Sequence, residues 1–149
     1  MRPGRETDNF DGSGGFDTVD YSASPRVSGT LKRGFGTGVT VDLGTGNGSG
    51  TGTYAEGDVY YLVDRVLGSA FGDTLLDGAS SETLLGAKGR DQLTAGAAVD
   101  KLLGGDSNDL LTSDGDGAND VNNCGDGKRD RLIRDPGDSA KACEVRPLG

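Results

Sequence analysis

Acidic side chains recur in this chain at a fixed interval. Residues 68–112 divide into five nine-residue units, GSAFGDTLL, DGASSETLL, GAKGRDQLT, AGAAVDKLL and GGDSNDLLT. The sixth position of each is acidic: Asp73, Glu82, Asp91, Asp100 and Asp109. The eighth is always leucine: Leu75, Leu84, Leu93, Leu102 and Leu111. Carboxylates held in turns are the hard oxygen ligands that calcium takes, at about 2.3–2.6 Å. Other chemistries are poorly provided for. With no His in the sequence, Ser-His-Asp and Cys-His catalysis, the HExxH zinc motif and every His-based metal site are excluded. Paired carboxylates can do acid–base work on a glycan without His, but the repeat already accounts for each regularly placed acid.

A nine-residue unit holds a six-residue turn and a three-residue strand, whose side chains alternate between faces. Two units then make one coil of about 18 residues, with position-eight leucines stacked inside and each rung covering the next. Residues one coil apart lie at the strand spacing of about 4.8 Å, so an ion midway between rungs reaches oxygens of both. Glycine in the turn allows unusual φ values that aim carbonyls at such an ion. The spacing sorts the turns into two columns. The first holds Asp73, Asp91 and Asp109, with Gly68, Gly86 and Gly104 opening the turns, and Gly89 and Asn108 adding turn character. The second holds Glu82, Asp100 and, after an insertion, Asp120, with Gly78, Gly96 and Gly115 one place later. The first column is expected to be the better calcium ladder. Glu82 changes the reach in the second, and Ala98 and Val99 are poor residues where φ must be positive. Without the ion the acids are a like-charged ladder beside a thin core, so folding and calcium binding are expected to be coupled.

Composition agrees. Of 149 residues 28 are Gly, and Leu, Ile, Val and Phe together number 30, near the level at which chains become disordered. Of the 24 acids 20 are Asp, a residue of turns and oxygen sites rather than helices. A net charge of −9 argues against nucleic acid as a partner. No apolar run is long enough to span a membrane. The opening MRPGRETD lacks the apolar segment of a secretory signal, which leaves a trimmed signal, a fragment or another export route. The only cysteines, Cys124 and Cys143, fit a disulfide in an oxidising compartment, with two reduced thiols as the alternative.

Outside the regular stretch the pattern loosens. SDGDGANDV places Asp120 eleven residues after Asp109, and CGDGKRDRL places Asp130 ten further on. GSGGFDTVD (12–20) fits the same frame, with Asp17 at six and Val19 at eight. GVTVDL (38–43) and DVYYLV (58–63) read as strands, and the Gly/Thr-rich segment 44–57 as a mobile surface loop. Tyr54, Tyr60 and Tyr61 are expected to cover an open end of the coil, and Lys128, Arg129, Arg131 and Arg134 to form a solvated, charge-balanced terminus. DGDGAND and CGDGKRD begin like an EF-hand but lack its closing Glu. No helical periodicity occurs, so the chain is expected to be all-β.

The nonapeptides resemble the RTX (haemolysin-type) calcium-binding repeat, GGxGxDxUx, in a secreted bacterial version that also shows GFDTVDYSASP, VDRVLGSAFGDTL and NDVNNCGDGKRD. The resemblance implies a right-handed parallel β-roll, or β-helix solenoid, with calcium between successive turns. It implies metal ligation by Asp73, Asp91 and Asp109, and by Asp100 and Asp120, with carbonyl donors at Gly68, Gly86, Gly104 and Gly105. Only GGDSND keeps the double glycine, and Phe71, Ser80, Ala98 and Ser107 replace the fourth-position Gly, so one to three ions are expected rather than a full array. The expected organisation is a less regular N-terminal β region over 1–67 that caps the roll, repeats over 68–123, and degenerate repeats with a cap over 124–149. The expected function is a non-catalytic, calcium-stabilised module of an exported protein, with calcium and other domains of a larger secreted protein as its partners. The competing readings are a surface-adhesive or ice-binding solenoid, or an accessory domain of a secreted hydrolase or toxin. The position-seven series Thr74, Thr83, Gln92, Lys101, Leu110 makes no regular face for adhesion.

Overall fold

A computed structural model describes residues 1–4, 6–25, 38–49 and 53–144. Among them there is no helix, and the chain runs through fourteen short strands. Each half-coil contributes one strand, because the turn residues interrupt the extended backbone every nine positions. One sheet contains β1 (Asn9–Asp11), β3 (Thr40–Asp42), β4 (Asn47–Ser49), β5 (Val59–Tyr61), β7 (Thr74–Leu76), β9 (Gln92–Thr94), β11 (Leu110–Ser113) and β13 (Arg131–Arg134). The other contains β2 (Thr18–Asp20), β6 (Arg65–Leu67), β8 (Thr83–Lys88), β10 (Lys101–Asp106), β12 (Val121–Asp126) and β14 (Ser139–Lys141). The orders β1-β5-β4-β3-β7-β9-β11-β13 and β2-β6-β8-β10-β12-β14 are those of a coil climbing past two faces. The result is a parallel β-solenoid of about four turns.

The register is the one the repeat demands. Leu75 pairs with Leu93 and Leu93 with Leu111, while Leu84 pairs with Leu102. All five leucines are fully buried, and Val41, Val66 and Val19 extend the two stacks towards the N-terminus. Each buried Leu side chain is worth about 1.5–3 kcal/mol over leaving it in water, so the stack is the main apolar support of a chain with few large residues. Leu102 is followed in register by Asn122, not an apolar residue. Buried Asn122 donates from Nδ2 to Ser113 Oγ at 2.8 Å, and Ser113 donates on to Asp138 Oδ2 at 2.8 Å, so the core turns polar towards its C-terminal end. There Cys124, fully buried, is disulfide-bonded to Cys143, with Cα atoms 5.0 Å apart.

Several local expectations are corrected. The strands β8, β10 and β12 are six residues long, not three, because the parallel pairing between them carries on into the following turn, as far as Lys88, Asp106 and Asp126. Segment 44–57 is not simply a surface loop. It contributes β4, antiparallel to β3 and to β5, and its Thr53 and Ala55 are buried; residues 50–52 lie outside the described residues. The tyrosines do not act together as a cover. Tyr60 is a core residue stacked on Phe10 at 5.9 Å, Tyr54 is half-buried, and Tyr61 points to solvent. The N-terminal strands also continue the stack: β1 pairs parallel with β5, and β2 with β6.

Candidate metal centre

The position-six carboxylates stand in register at the turns and make the same contact rung after rung. The Asp73 amide donates to Asp91 Oδ1 at 2.8 Å, the Asp91 amide to Asp109 Oδ1 at 2.9 Å, and the Asp109 amide to Asp130 Oδ1 at 2.9 Å. Opposite, the Glu82 amide donates to Asp100 Oδ1 at 3.0 Å, Asp100 to Asp120 Oδ1 at 2.8 Å, and Asp120 to Asp138 Oδ1 at 3.0 Å. The motif reaches the N-terminal region, where the Asp8 amide meets Asp58 Oδ1, Asp17 meets Asp64 Oδ2, and Val39 meets Asp73 Oδ1. One carboxylate oxygen per rung thus stitches neighbouring turns together.

The second oxygen is the chemically telling one. Oδ2 of Asp91, Asp109, Asp120 and Asp130 is buried and has no hydrogen-bond partner. Such an atom costs about 1–3 kcal/mol, more when charged. In Asp91 and Asp109 that atom faces the glycine that opens its own turn. A Cβ on Gly104 would meet Asp109 Oδ2 at 2.6 Å and the Cys124 carbonyl of the next rung at 2.5 Å. One on Gly86 would overlap Asp91 Oδ2 and lie 2.6 Å from the Gly104 carbonyl, and one on Gly68 would overlap Asp73 Oδ2 and lie 2.7 Å from the Gly86 carbonyl. Glycine is required here because carboxylate and carbonyl oxygens of successive rungs crowd onto that side of the backbone. Asp73 differs in that its Oδ2 accepts the Ser69 amide at 2.6 Å.

Carboxyl oxygens crowded together away from water hold on to protons. Burial pushes the Asp91 carboxyl up to about 8, with the neighbouring Asp73 and Asp109 charges adding to it. Burial likewise takes Asp73 and Asp109 to about 6 and raises Asp100 and Asp120. A donor set made only of carboxylate and carbonyl oxygens suits a hard cation such as calcium.

The remaining expected residues are placed as follows. Asn108 is exposed, and its Oδ1 accepts the Lys128 and Arg129 amides at 3.1 and 2.9 Å, so this oxygen caps the next turn. Gly105 takes a positive φ of 113°, in register with Ala87 at 77° and Gly125 at 91°. In the turns of these rungs, left-handed backbone falls at Ala87, Gly89, Gly105 and Ser107, whereas Ala98 and Val99 do not carry it, so the expected penalty at those two residues is absent. Gly96 is needed for another reason: a Cβ there would overlap the Gly78 carbonyl. Gly115, with a φ of 100°, has open space around it.

The second column holds a feature that the sequence ranking missed. Asp77, Glu82 and Asp100 each bring a carboxylate oxygen within 4.8 Å of the others, the one such convergence among the described residues. Asp77 occupies position one of its unit, where the first column has glycine, and that substitution is the signal that could have found it. Its carboxyl is pushed up to about 9, first by burial, then by the adjoining Glu82 carboxyl and the Asp100 charge. Also overlooked were Asp58, Asp64 and Asp138, which belong to the same stitching. Asp64 lies nine residues before Asp73 and Asp138 eighteen after Asp120, so the count itself was the signal for these two, while Asp130 extends the first column from the loosened repeat.

Stacked nine-residue half-coils with inward leucines and carboxylates lining two edges define a repeat solenoid built around oxygen-rich turns. The family model of the RTX calcium-binding nonapeptide repeat (4 copies) matches residues 63–93, 77–111 and 86–121. The stretch 63–121, from β6 to the start of β12, is therefore made of RTX repeats. Comparison with curated protein sequences gives no match.

Proposed function

We propose that this chain is a calcium-stabilised structural module in which the cations sit between successive turns and complete the fold. The observation that carries the reading is the set of buried, unpartnered Oδ2 atoms of Asp91, Asp109, Asp120 and Asp130, of which those of Asp91 and Asp109 stand beside carbonyls of the next rung. The ligands of the first column are Asp73, Asp91 and Asp109, continued by Asp130, with carbonyls of Gly86 and Gly104. Asp100 and Asp120 serve the second. The module is non-catalytic, since its regularly placed acids are engaged in stitching and ligation. The disulfide and the repeat type support an exported protein, because disulfides persist in oxidising surroundings. Calcium sites of extracellular modules work at about 10⁻⁴–10⁻³ M, so such sites fill outside the cell and tie folding to export. Far-ultraviolet circular dichroism in chelator, then with millimolar calcium, tests this. The expected result is a gain of β signal on adding calcium. A spectrum already complete in chelator and unmoved by the ion would refute it.

A further inference from the structure

We propose that Asp77, Glu82 and Asp100 form an all-carboxylate calcium site, different in kind from the carboxylate–carbonyl ladder, and that it fills first. The assignment rests on reading the roll as a calcium-binding module. Asp77 and Glu82 come from one turn, between β7 and β8, and Asp100 comes from the turn one coil later, so a cation here ties two rungs. The oxygens lie within 4.8 Å of one another, inside the span of about 5.2 Å that two calcium–oxygen bonds can bridge.

The second observation is independent of the clustering. Asp77 is 9% exposed and Glu82 8%, and Asp77 Oδ2 and Glu82 Oε2 are buried with no hydrogen-bond partner. Asp77 Oδ1 is occupied by the Gly78 amide at 3.0 Å. Asp100 is held by the Glu82 amide on Oδ1 and the Gly96 amide on Oδ2, each at 3.0 Å, so the site has a rigid wall and two free, desolvated oxygens aimed at it. No other position-one residue in this column supplies a charge: Ala95 has none, and Ser113 Oγ is spent on Asp138. Calcium affinity rises with ligand charge and rigidity, and three carboxylates exceed the two that a ladder site takes from its pair of rungs. The expected order of filling is the reverse of the one that the nine-residue pattern alone gives.

The test is calcium titration by isothermal calorimetry on the whole chain, for the wild type, Asp77→Asn, Glu82→Gln and Asp91→Asn. Both near-isosteric second-column changes are expected to remove the tightest phase, weakening it on the order of a hundredfold, while Asp91→Asn keeps that phase and loses a weaker one. A tightest phase that survives Asp77→Asn overturns the proposal, and so does one removed by Asp91→Asn alone. The ladder reading survives both of those results, whereas a wild type that binds no calcium removes both readings. Should either variant fail to fold, anomalous density from calcium-soaked wild-type crystals decides: a peak among the three carboxylates supports the site, and peaks confined to the first column overturn it.

Discussion

Asp91→Asn separates the two jobs of the ladder and is predicted to act with opposite signs with and without calcium. Asp91 Oδ1 accepts the Asp73 amide at 2.8 Å, and its Oδ2 has no partner. Asparagine keeps an oxygen for that amide. It also turns the second atom into a donor on the side where the Gly104 carbonyl stands. In chelator at a pH above about 8, where the Asp91 carboxyl is ionised, the change removes a buried unpartnered acceptor, a gain of about 1–3 kcal/mol. For a urea slope of about 2 kcal/mol/M the midpoint should rise by about 0.5–1.5 M. With calcium the same change deletes a ligand from the middle of the column. An ion present at a hundred times its Kd stabilises the fold by about 2.7 kcal/mol, and each ion that depends on Asp91 forfeits that amount. Urea denaturation followed by circular dichroism, in chelator and in calcium, reads both effects. A variant less stable than wild type in chelator, or one that gains as much from calcium as wild type does, would refute the reasoning.

Other outcomes follow from the same geometry. The raised carboxyls of Asp91 (about 8), Asp73 and Asp109 (about 6) mean that the folded, metal-free chain binds more protons than the unfolded one between about pH 4 and 8. Metal-free stability is therefore greatest at the acid end and falls as pH rises through that window, so β signal should grow on acidifying a calcium-depleted sample from pH 8 to 4.5; a maximum at pH 8 would contradict this. Leu93→Ala opens a hole between Leu75 and Leu111 and should cost about 2–5 kcal/mol in calcium, seen as a lowered urea midpoint with an unchanged slope. Replacing both Cys124 and Cys143 with serine removes a closure over a sequence separation of 19 and should cost about 3 kcal/mol, measured against the oxidised wild type. Gly96→Ala should destabilise the second column, since the new methyl overlaps the Gly78 carbonyl. If thermal melting shows no loss in that variant, the close approach of the two rungs is not as described.

The repeat phase made the central part of this fold legible. Position eight predicts the buried leucines, and an 18-residue step predicts Asp73 beside Asp91 beside Asp109, because a coil of constant length maps sequence interval directly onto height. Legibility ends where that mapping does. Asp130 lies 21 residues after Asp109 and Asp120 lies 20 after Asp100, so counting alone does not place them. The pair β3 and β4 enters one sheet with no counterpart in the other, and Gly/Thr-rich composition reads as loop even where Ala55 is core. Asp77 was hidden because a pattern that expects glycine treats any other residue as decay. Its meaning emerges only when Glu82 and Asp100 are seen beside it. Backbone sign was the least readable: Ala87 and Ser107 adopt left-handed φ values because their stacked neighbours impose the turn, not because their side chains favour it.

The Cys124–Cys143 bond gives this coil a direction. A rod whose segments touch only their neighbours unravels from its tips, since every inner segment is gripped on both sides. At one tip the final strand β14 is fastened through Cys143 to a residue one layer further in, like whipping on a rope's end. At the other, β1 and β2 lie at the sheet margins with no covalent tether. Loosening therefore starts at the N-terminal tip and travels towards the fastened one.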